Sequence, residues 1–188
     1  MKKGKIIIIS GPSGSGKTTL YKKLLAKYKD RLVRSVSVTT RPKRFGEKHG
    51  RDYFFVSPNM FEHKRKSGHF LEWEKVFDNF YGTPKKHVRD ILINGKNVLL
   101  CIDVKGAKAV LGRIPRAVRI FVKTPSLAIL EKRLKGRGSE TKGVVKMRLD
   151  TARKELKEAK NYDHIIVNDH LTHAFKQLKE VVSSELEI

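Results

Sequence analysis

The sequence predicts an α/β fold: a parallel β-sheet flanked by helices on both faces, with an inserted small mixed α/β lobe. Three observations carry this reading. The four isoleucines Ile6–Ile9 and the run from Val98 to Ile102 are apolar at consecutive positions, as strands buried on both faces of a parallel sheet are. Segments with apolar residues at helical spacing alternate with such runs, as parallel strand connections require. Between about residues 35 and 83 the pattern changes to short alternating strands rich in aromatic and polar residues, which reads as a separate small lobe.

In order, residues 5–10 form the first buried strand, and a glycine-rich turn follows at once. Residues 19–28 place Leu20, Leu24, Leu25 and Tyr28 on one helical face. Residues 35–39 alternate, Val36 and Val38 against Ser35, Ser37 and Thr39, giving a half-buried strand with a polar, ligand-facing side. Residues 40–51 read as a mobile loop and 53–57 as a short strand. Ser57-Pro58 starts a helix, with serine as N-cap and proline at the first helical position. Residues 70–77 are strand-like; Thr83-Pro84 opens a helix through Val88, Ile91 and Leu92, which Gly95 ends. Buried strands at 97–104 (with Asp103 near the end), 117–122 and 163–167 follow. Helices are read at Pro125-Ser126 through Leu134, along Val145 to Ala159, and at the close from Leu171 to Val182. Between the first two lies a basic, flexible turn, Lys135-Gly136-Arg137-Gly138.

The chain has 188 residues, 39% of them hydrophobic, which suits one compact unit with a sizeable core. Its single cysteine, Cys101, allows no intrachain disulfide and points to a reducing compartment. No stretch approaches the roughly 18–20 apolar residues of a membrane helix, so a cytoplasmic protein with no membrane partner is expected. Lys and Arg number 42 against 19 acids, a net charge of +23. These residues are spread along the whole chain without a polybasic tail. The surplus therefore reads as a solvated surface that steers small anionic ligands, and nucleic acid is not an expected partner.

The strongest chemical signal is Gly11, Pro12, Ser13, Gly14, Ser15, Gly16, Lys17 and Thr18, between a buried strand and a helix. This is a P-loop in its structural context. The glycines let successive N–H groups point at phosphate oxygens, and the helix adds the positive end of its dipole. Lys17 supplies charge to the β- and γ-phosphates of a nucleoside triphosphate, and Thr18 is a ligand for the Mg²⁺ that bridges them. Asp103, at the end of a buried strand, either helps to hold Mg²⁺ or a substrate, or caps the next turn. Five arginines, Arg41, Arg44, Arg133, Arg137 and Arg148, fit phosphoryl transfer, which demands cations around the transferred group.

Several stretches carry a family resemblance. They are Gly11–Thr18, Ser35-Val-Ser-Val-Thr-Thr-Arg-Pro-Lys-Arg44, Gly46-Glu-Lys-His-Gly50, Asp52-Tyr-Phe-Phe-Val-Ser57, Phe70-Leu-Glu-Trp73, Asn79-Phe-Tyr-Gly-Thr83, Ile102-Asp-Val-Lys-Gly106, Arg133-Leu-Lys-Gly-Arg-Gly138 and Ile166-Val-Asn-Asp169. Together they resemble guanylate kinase, in order over essentially the whole chain. The resemblance implies ATP-dependent phosphorylation of GMP to GDP in one domain (residues 4–184). It divides that domain into a P-loop NTPase-type core (1–34 and 84–188), a GMP-binding lobe (35–83) and a short helical lid at about 136–147. Arg41, Arg44, Tyr53 and Tyr81 would hold the GMP phosphate, while Ser37, Glu72 and Thr83 would read guanine. Arg133, Arg137 and Arg148 would clamp the transferring phosphate, with Lys17 and Arg41 completing the catalytic set. Asn168 would lie near the adenosine end of ATP, and Asp103 would join the GMP site.

The base chemistry fits these residue types. One carboxylate, Glu72, can accept from both N1–H and the 2-amino group of guanine, and adenine offers it neither; the hydroxyls of Ser37 and Thr83 can donate to O6 or N7. The resemblance also marks one departure: Cys101 stands where the family usually has an acid, two residues before Asp103. It is read as a packing residue. The alternative function is a non-catalytic interaction module of the same fold, against which the retained Lys17, Thr18 and five arginines argue.

Overall fold

The computed structural model describes residues 4–136 and 142–187. In chain order its elements are β1 (Ile6–Ser10), α1 (Lys17–Lys27), β2 (Leu32–Arg34), β3 (Val38–Thr39), β4 (Phe54–Phe55), α2 (Pro58–Lys66), β5 (Phe70–Val76), β6 (Asn79–Pro84), α3 (Lys85–Ile93) and β7 (Asn97–Cys101). There follow α4 (Val104–Leu111), β8 (Val118–Lys123), α5 (Leu127–Lys135), α6 (Lys142–Lys157), a 3₁₀ turn (Glu158–Asn161), β9 (His164–Val167) and α7 (Leu171–Leu186).

Strands β2-β7-β1-β8-β9 form the main sheet in that order, and every pairing is parallel. All five residues of β1 are buried, because the strand is central and covered on both sides. Alternation divides its isoleucines between two cores. Ile7 and Ile9 pack with Leu20 and Leu24 of α1 and with Ala174, Leu178 and Val182 of α7. Ile6 and Ile8 pack with Val88 and Ile91 of α3 and with Ala107 and Val110 of α4. Each fully buried isoleucine contributes about 1.5–3 kcal/mol, so the four make β1 the anchor of both layers. A third cluster joins α5 to α6 through Leu130, Leu134, Val145, Leu149 and Ala152.

A second sheet, ordered β4-β3-β6-β5, forms the small lobe. Its core is aromatic: Phe61 of α2 stacks on Phe70 and Phe80 at 4.7 and 5.4 Å. Ser57 caps α2 as its sequence predicts, accepting from the Met60 N–H at 3.2 Å, and Ser126 caps α5 in the same way.

Several boundaries differ from the sequence reading. Residues 79–84 are a strand, and α3 begins at Lys85 with Pro84 as its uncapped N-terminal neighbour, so Thr83 does not open a helix. The β5–β6 hairpin turns on Phe77-Asp78, and Phe77 adopts φ 53 without the glycine that usually signals such a turn. The edge strand β2 is three residues long, too short to show alternation. Strand β7 stops at Cys101, and Asp103 caps a helix, α4, that the sequence did not reveal. Only Val38 and Thr39 of the 35–39 segment are strand, and its polar side is buried: Ser35, Ser37 and Thr39 are 2%, 7% and 0% exposed.

Candidate active site

The carboxyl end of the central strand delivers the chain into the P-loop, the position where parallel α/β sheets hold ligands. Gly11, Gly14 and Gly16 all have positive φ, at 136°, 90° and 94°. Gly11 also packs so tightly on β8 that a methyl group there would stand 2.0 Å from the Val122 carbonyl oxygen. At Gly16 the neighbour is Asn168, whose amide nitrogen donates to the Ser15 carbonyl at 2.8 Å and would lie 2.1 Å from a methyl group. Asn168 is 4% exposed, so its side chain is a prop beneath the loop. The Lys17 ammonium donates to the carbonyls of Gly11 and Pro12 at 2.5 and 2.8 Å. Thr18, one residue on, is exposed to the cleft.

This cleft, about 600 Å³, runs from the P-loop to the small lobe. Helix α6 forms one wall with Val144, Met147, Arg148, Thr151 and Glu155, residues three and four apart and therefore on one face. Arg148 reaches across to donate to the Ser13 hydroxyl at 2.8 Å, and its guanidinium lies 5.3 Å from the centre of the Phe77 ring. One arginine thus touches α6, the P-loop and the turn of the lobe hairpin.

At the far end Arg41 donates to Glu47 at 2.7 Å, and the other Glu47 oxygen accepts the Arg44 N–H at 2.8 Å. Partial burial works against the Arg41 charge, but the Glu47 hydrogen bond overrides it and the guanidinium is held still more firmly protonated. Partial burial likewise opposes the Glu47 carboxylate, and its bonds to Arg41 and Arg44 prevail, leaving it more acidic than usual. The Arg41 guanidinium lies over Tyr53 and Phe55 at 5.4 and 5.7 Å, and Tyr53 meets Tyr81 edge-on at 5.9 Å. The loop read from sequence as mobile is tied at both Arg41 and Arg44.

Glu72 of β5 faces Thr83 of β6, its register partner, and the Thr83 hydroxyl donates to Glu72 Oε1 at 2.5 Å. The two are 5% and 0% exposed. Burial pushes the Glu72 carboxyl up to about 7; the Thr83 bond offsets part of this, and the nearby Asp103 adds to it. Asp103 takes the second of its two expected roles, accepting the Gly106 N–H at 2.7 Å as the cap of α4, and it also lines the cleft. Burial makes the Asp103 carboxyl a weaker acid too, against the pull of that bond. Cys101 lines the cleft and packs against the main core; burial keeps its thiol neutral in spite of Lys17 and Arg34.

The fold therefore brings Gly11, Ser13, Gly14, Gly16, Lys17, Thr18, Ser37, Arg41, Arg44, Tyr53, Glu72, Tyr81, Asp103 and Arg148 to one cleft. Pro12 and Ser15 belong to the same loop, while Thr83 and Asn168 act from behind, on Glu72 and the P-loop. Arg133 is turned to the carbonyls of Asn168 and Asp169, at 3.0 and 3.2 Å. Arg137 lies outside the described residues. Three participants escaped the sequence reading. Glu47 fixes the arginine loop, and Arg34 lies over Tyr21 and Tyr53 at 5.0 and 5.6 Å. Glu155 brings a half-buried carboxyl, raised by burial, into the field of Lys17 and Asp103. Its spacing of seven from Arg148 was the signal available. Among the described residues no group of three or more His, Cys, Asp or Glu is arranged to hold a metal. The Thr18 hydroxyl that faces the cleft is the kind of hard oxygen donor that suits a water-retaining divalent cation.

Comparison with known proteins agrees with this geometry. The family model for guanylate kinase matches residues 3–185. A guanylate kinase of Clostridioides difficile (strain 630) is 44% identical over 185 residues, 98% of this chain and 90% of the relative. One from Rickettsia felis is 42% identical over 98% of this chain and 96% of its own. Among solved structures, a guanylate kinase from Anaplasma phagocytophilum superposes with a TM-score of 0.80 at 32% identity, covering 100% of this chain and 89% of that one. The chain belongs to the guanylate kinase family.

Proposed function

We propose that this chain transfers the γ-phosphoryl group of ATP to GMP, yielding ADP and GDP. The observation that carries the proposal is the pairing, across one cleft, of a complete P-loop with a buried carboxylate facing Asp103 and seated on Thr83. A nucleoside triphosphate fits the first end, and a base with two adjacent donors fits the second.

The P-loop amides and the α1 dipole receive the donor phosphates. Lys17 exchanges the carbonyls of Gly11 and Pro12 for phosphate oxygens, a short movement for an ammonium already poised over the loop. Mg²⁺, when bound, neutralises the phosphate charge that builds during transfer; Thr18 would hold it. Arg148, with Arg133 and Arg137, serves the donor side. Arg41, Arg44, Tyr53 and Tyr81 bind the GMP phosphate, with Glu47 holding the first two in place. Glu72 accepts from guanine N1–H and the 2-amino group. Because the Thr83 proton is given to Glu72, Thr83 serves guanine through Glu72, and Ser37 is the donor to O6 or N7. Alignment of two phosphates in a shielded cleft supplies the catalysis.

In this reading residues 35–83 are the acceptor lobe of an otherwise continuous core, and the lid expected at about 136–147 lies partly outside the described residues. No helix among the described residues is long and apolar enough to cross a membrane; a cytoplasmic setting accords with the lone cysteine. A coupled assay of ADP formation with ATP, GMP and excess Mg²⁺ tests the proposal. Turnover supports it, and its absence at saturating substrates favours an interaction module.

A further inference from the structure

Two carboxylates of the acceptor end converge on one glycine. Gly106 is the third residue of α4, and its N–H donates to Asp103 Oδ1 at 2.7 Å. A methyl group at Gly106 would stand 2.7 Å from Glu72 Oε2 and 3.3 Å from Asp103 Oδ1. The first distance is well inside van der Waals contact. The residue is helical and its φ lies outside the positive range, so the backbone there does not require glycine. Glycine is also a poorer helix former than alanine, and local propensity gives it no advantage. What the bare Cα provides is room: the Glu72 side chain, arriving from the lobe, can rest on a core helix with its other oxygen on Thr83.

We infer that Gly106 is a specificity-determining positioning residue, its missing side chain fixing where the Glu72 carboxylate meets the acceptor base. The inference rests on the reading that Glu72 recognises guanine. Glu72 then has the Thr83 hydroxyl on one oxygen and, beside the other, the space left open by a glycine of a core helix. Any side chain at 106 displaces Oε2 from that position while leaving the P-loop untouched.

The test compares kcat/KM for GMP and for IMP, which lacks the 2-amino group, in wild type, Gly106→Ala, Glu72→Ala and the double variant. Gly106→Ala is expected to lower the GMP-to-IMP ratio roughly 10- to 100-fold, the worth of a hydrogen bond to a charged group, with the KM for ATP unchanged. In the Glu72→Ala background it should add no further loss, because the two act as one unit. Shortening the acid relieves the contact, so Gly106→Ala with Glu72→Asp should recover part of the ratio. An unchanged ratio in Gly106→Ala, or an equal loss in the Glu72→Ala background, overturns the inference. Full selectivity in Glu72→Ala alone overturns the guanine reading beneath it as well. Were Gly106→Ala not to fold, refolding on adding Glu72→Gly would support the contact, and continued misfolding would refute it.

Discussion

Thr83 and Glu72 are joined by a 2.5 Å hydrogen bond between neighbouring strands, buried where the lobe meets the core. The carboxyl is thereby fixed in direction, yet its burial leaves it only about half ionised near pH 7. A group placed in this way is both a base reader and a source of pH dependence.

The ionised form of Glu72 is the one that accepts from guanine. With its pKa raised from 4.5 to about 7, kcat/KM for GMP should fall as pH drops through about 7, approaching tenfold per unit below it. Glu72→Gln should lose this step. Rate profiles between pH 5.5 and 8.5 check the prediction, and a flat wild-type profile would contradict it.

The same shift has the opposite sign for stability. The folded chain holds the Glu72 proton more tightly than the unfolded chain, so this group lowers stability as pH rises from 4.5 to about 7. Above pH 7 the cost is on the order of 3 kcal/mol. Glu72→Gln should therefore melt several degrees higher than wild type at pH 8, with the difference shrinking toward pH 5. Thermal melts at the two pH values measure it.

Thr83 should tolerate serine and reject valine. Thr83→Val keeps the shape but leaves Glu72 without its donor, costing about 1–3 kcal/mol, or roughly 10- to 100-fold in kcat/KM for GMP. Thr83→Ser keeps the hydroxyl and should remain within a few-fold. Kinetics at varied GMP separate the two.

Asn168 should act on the donor half alone. Asn168→Ala removes the amide that supports Ser15, so the KM for ATP should rise several-fold while that for GMP changes little. Gly16→Ala should be far worse, because it combines a left-handed φ of 94° with a 2.1 Å contact to Asn168. Calorimetric titration with an ATP analogue distinguishes these outcomes.

Arg148 spans the cleft from α6 to Ser13. Arg148→Ala should lower kcat on the order of a hundredfold, the usual effect of losing one donor to developing charge. GMP binding measured without ATP should be nearly unaffected.

The central sheet was legible because its strands are apolar at consecutive positions and the intervening helices keep their spacing; Ile6–Ile9 announce a doubly covered strand on their own. Strand β6 was not, because the turn before it uses a positive φ at Phe77 with no glycine to mark it. Helix α4 was missed because it is only eight residues long and its first residue, Val104, was read as the end of the preceding strand. The P-loop could be read from residue types alone, since its glycines and Lys17 serve backbone geometry and charge. Ser37, Glu72 and Thr83 became legible only through the family resemblance, because a lone serine, acid or threonine carries no pattern. In the structure the Thr83 hydroxyl is on Glu72, and the surroundings of Glu47, Glu155 and Gly106 are set by chain folding that no local pattern displays.

The most direct test of guanine-specific phosphoryl transfer is an acceptor panel with Mg²⁺ and ATP: GMP, dGMP, AMP, UMP and CMP, assayed for diphosphate products in wild type and Glu72→Ala. GDP should accumulate with an equal amount of ADP, AMP should be a poor acceptor by orders of magnitude, and Glu72→Ala should erase most of that preference. Absence of GDP formation, or full guanine preference retained in Glu72→Ala, would contradict it.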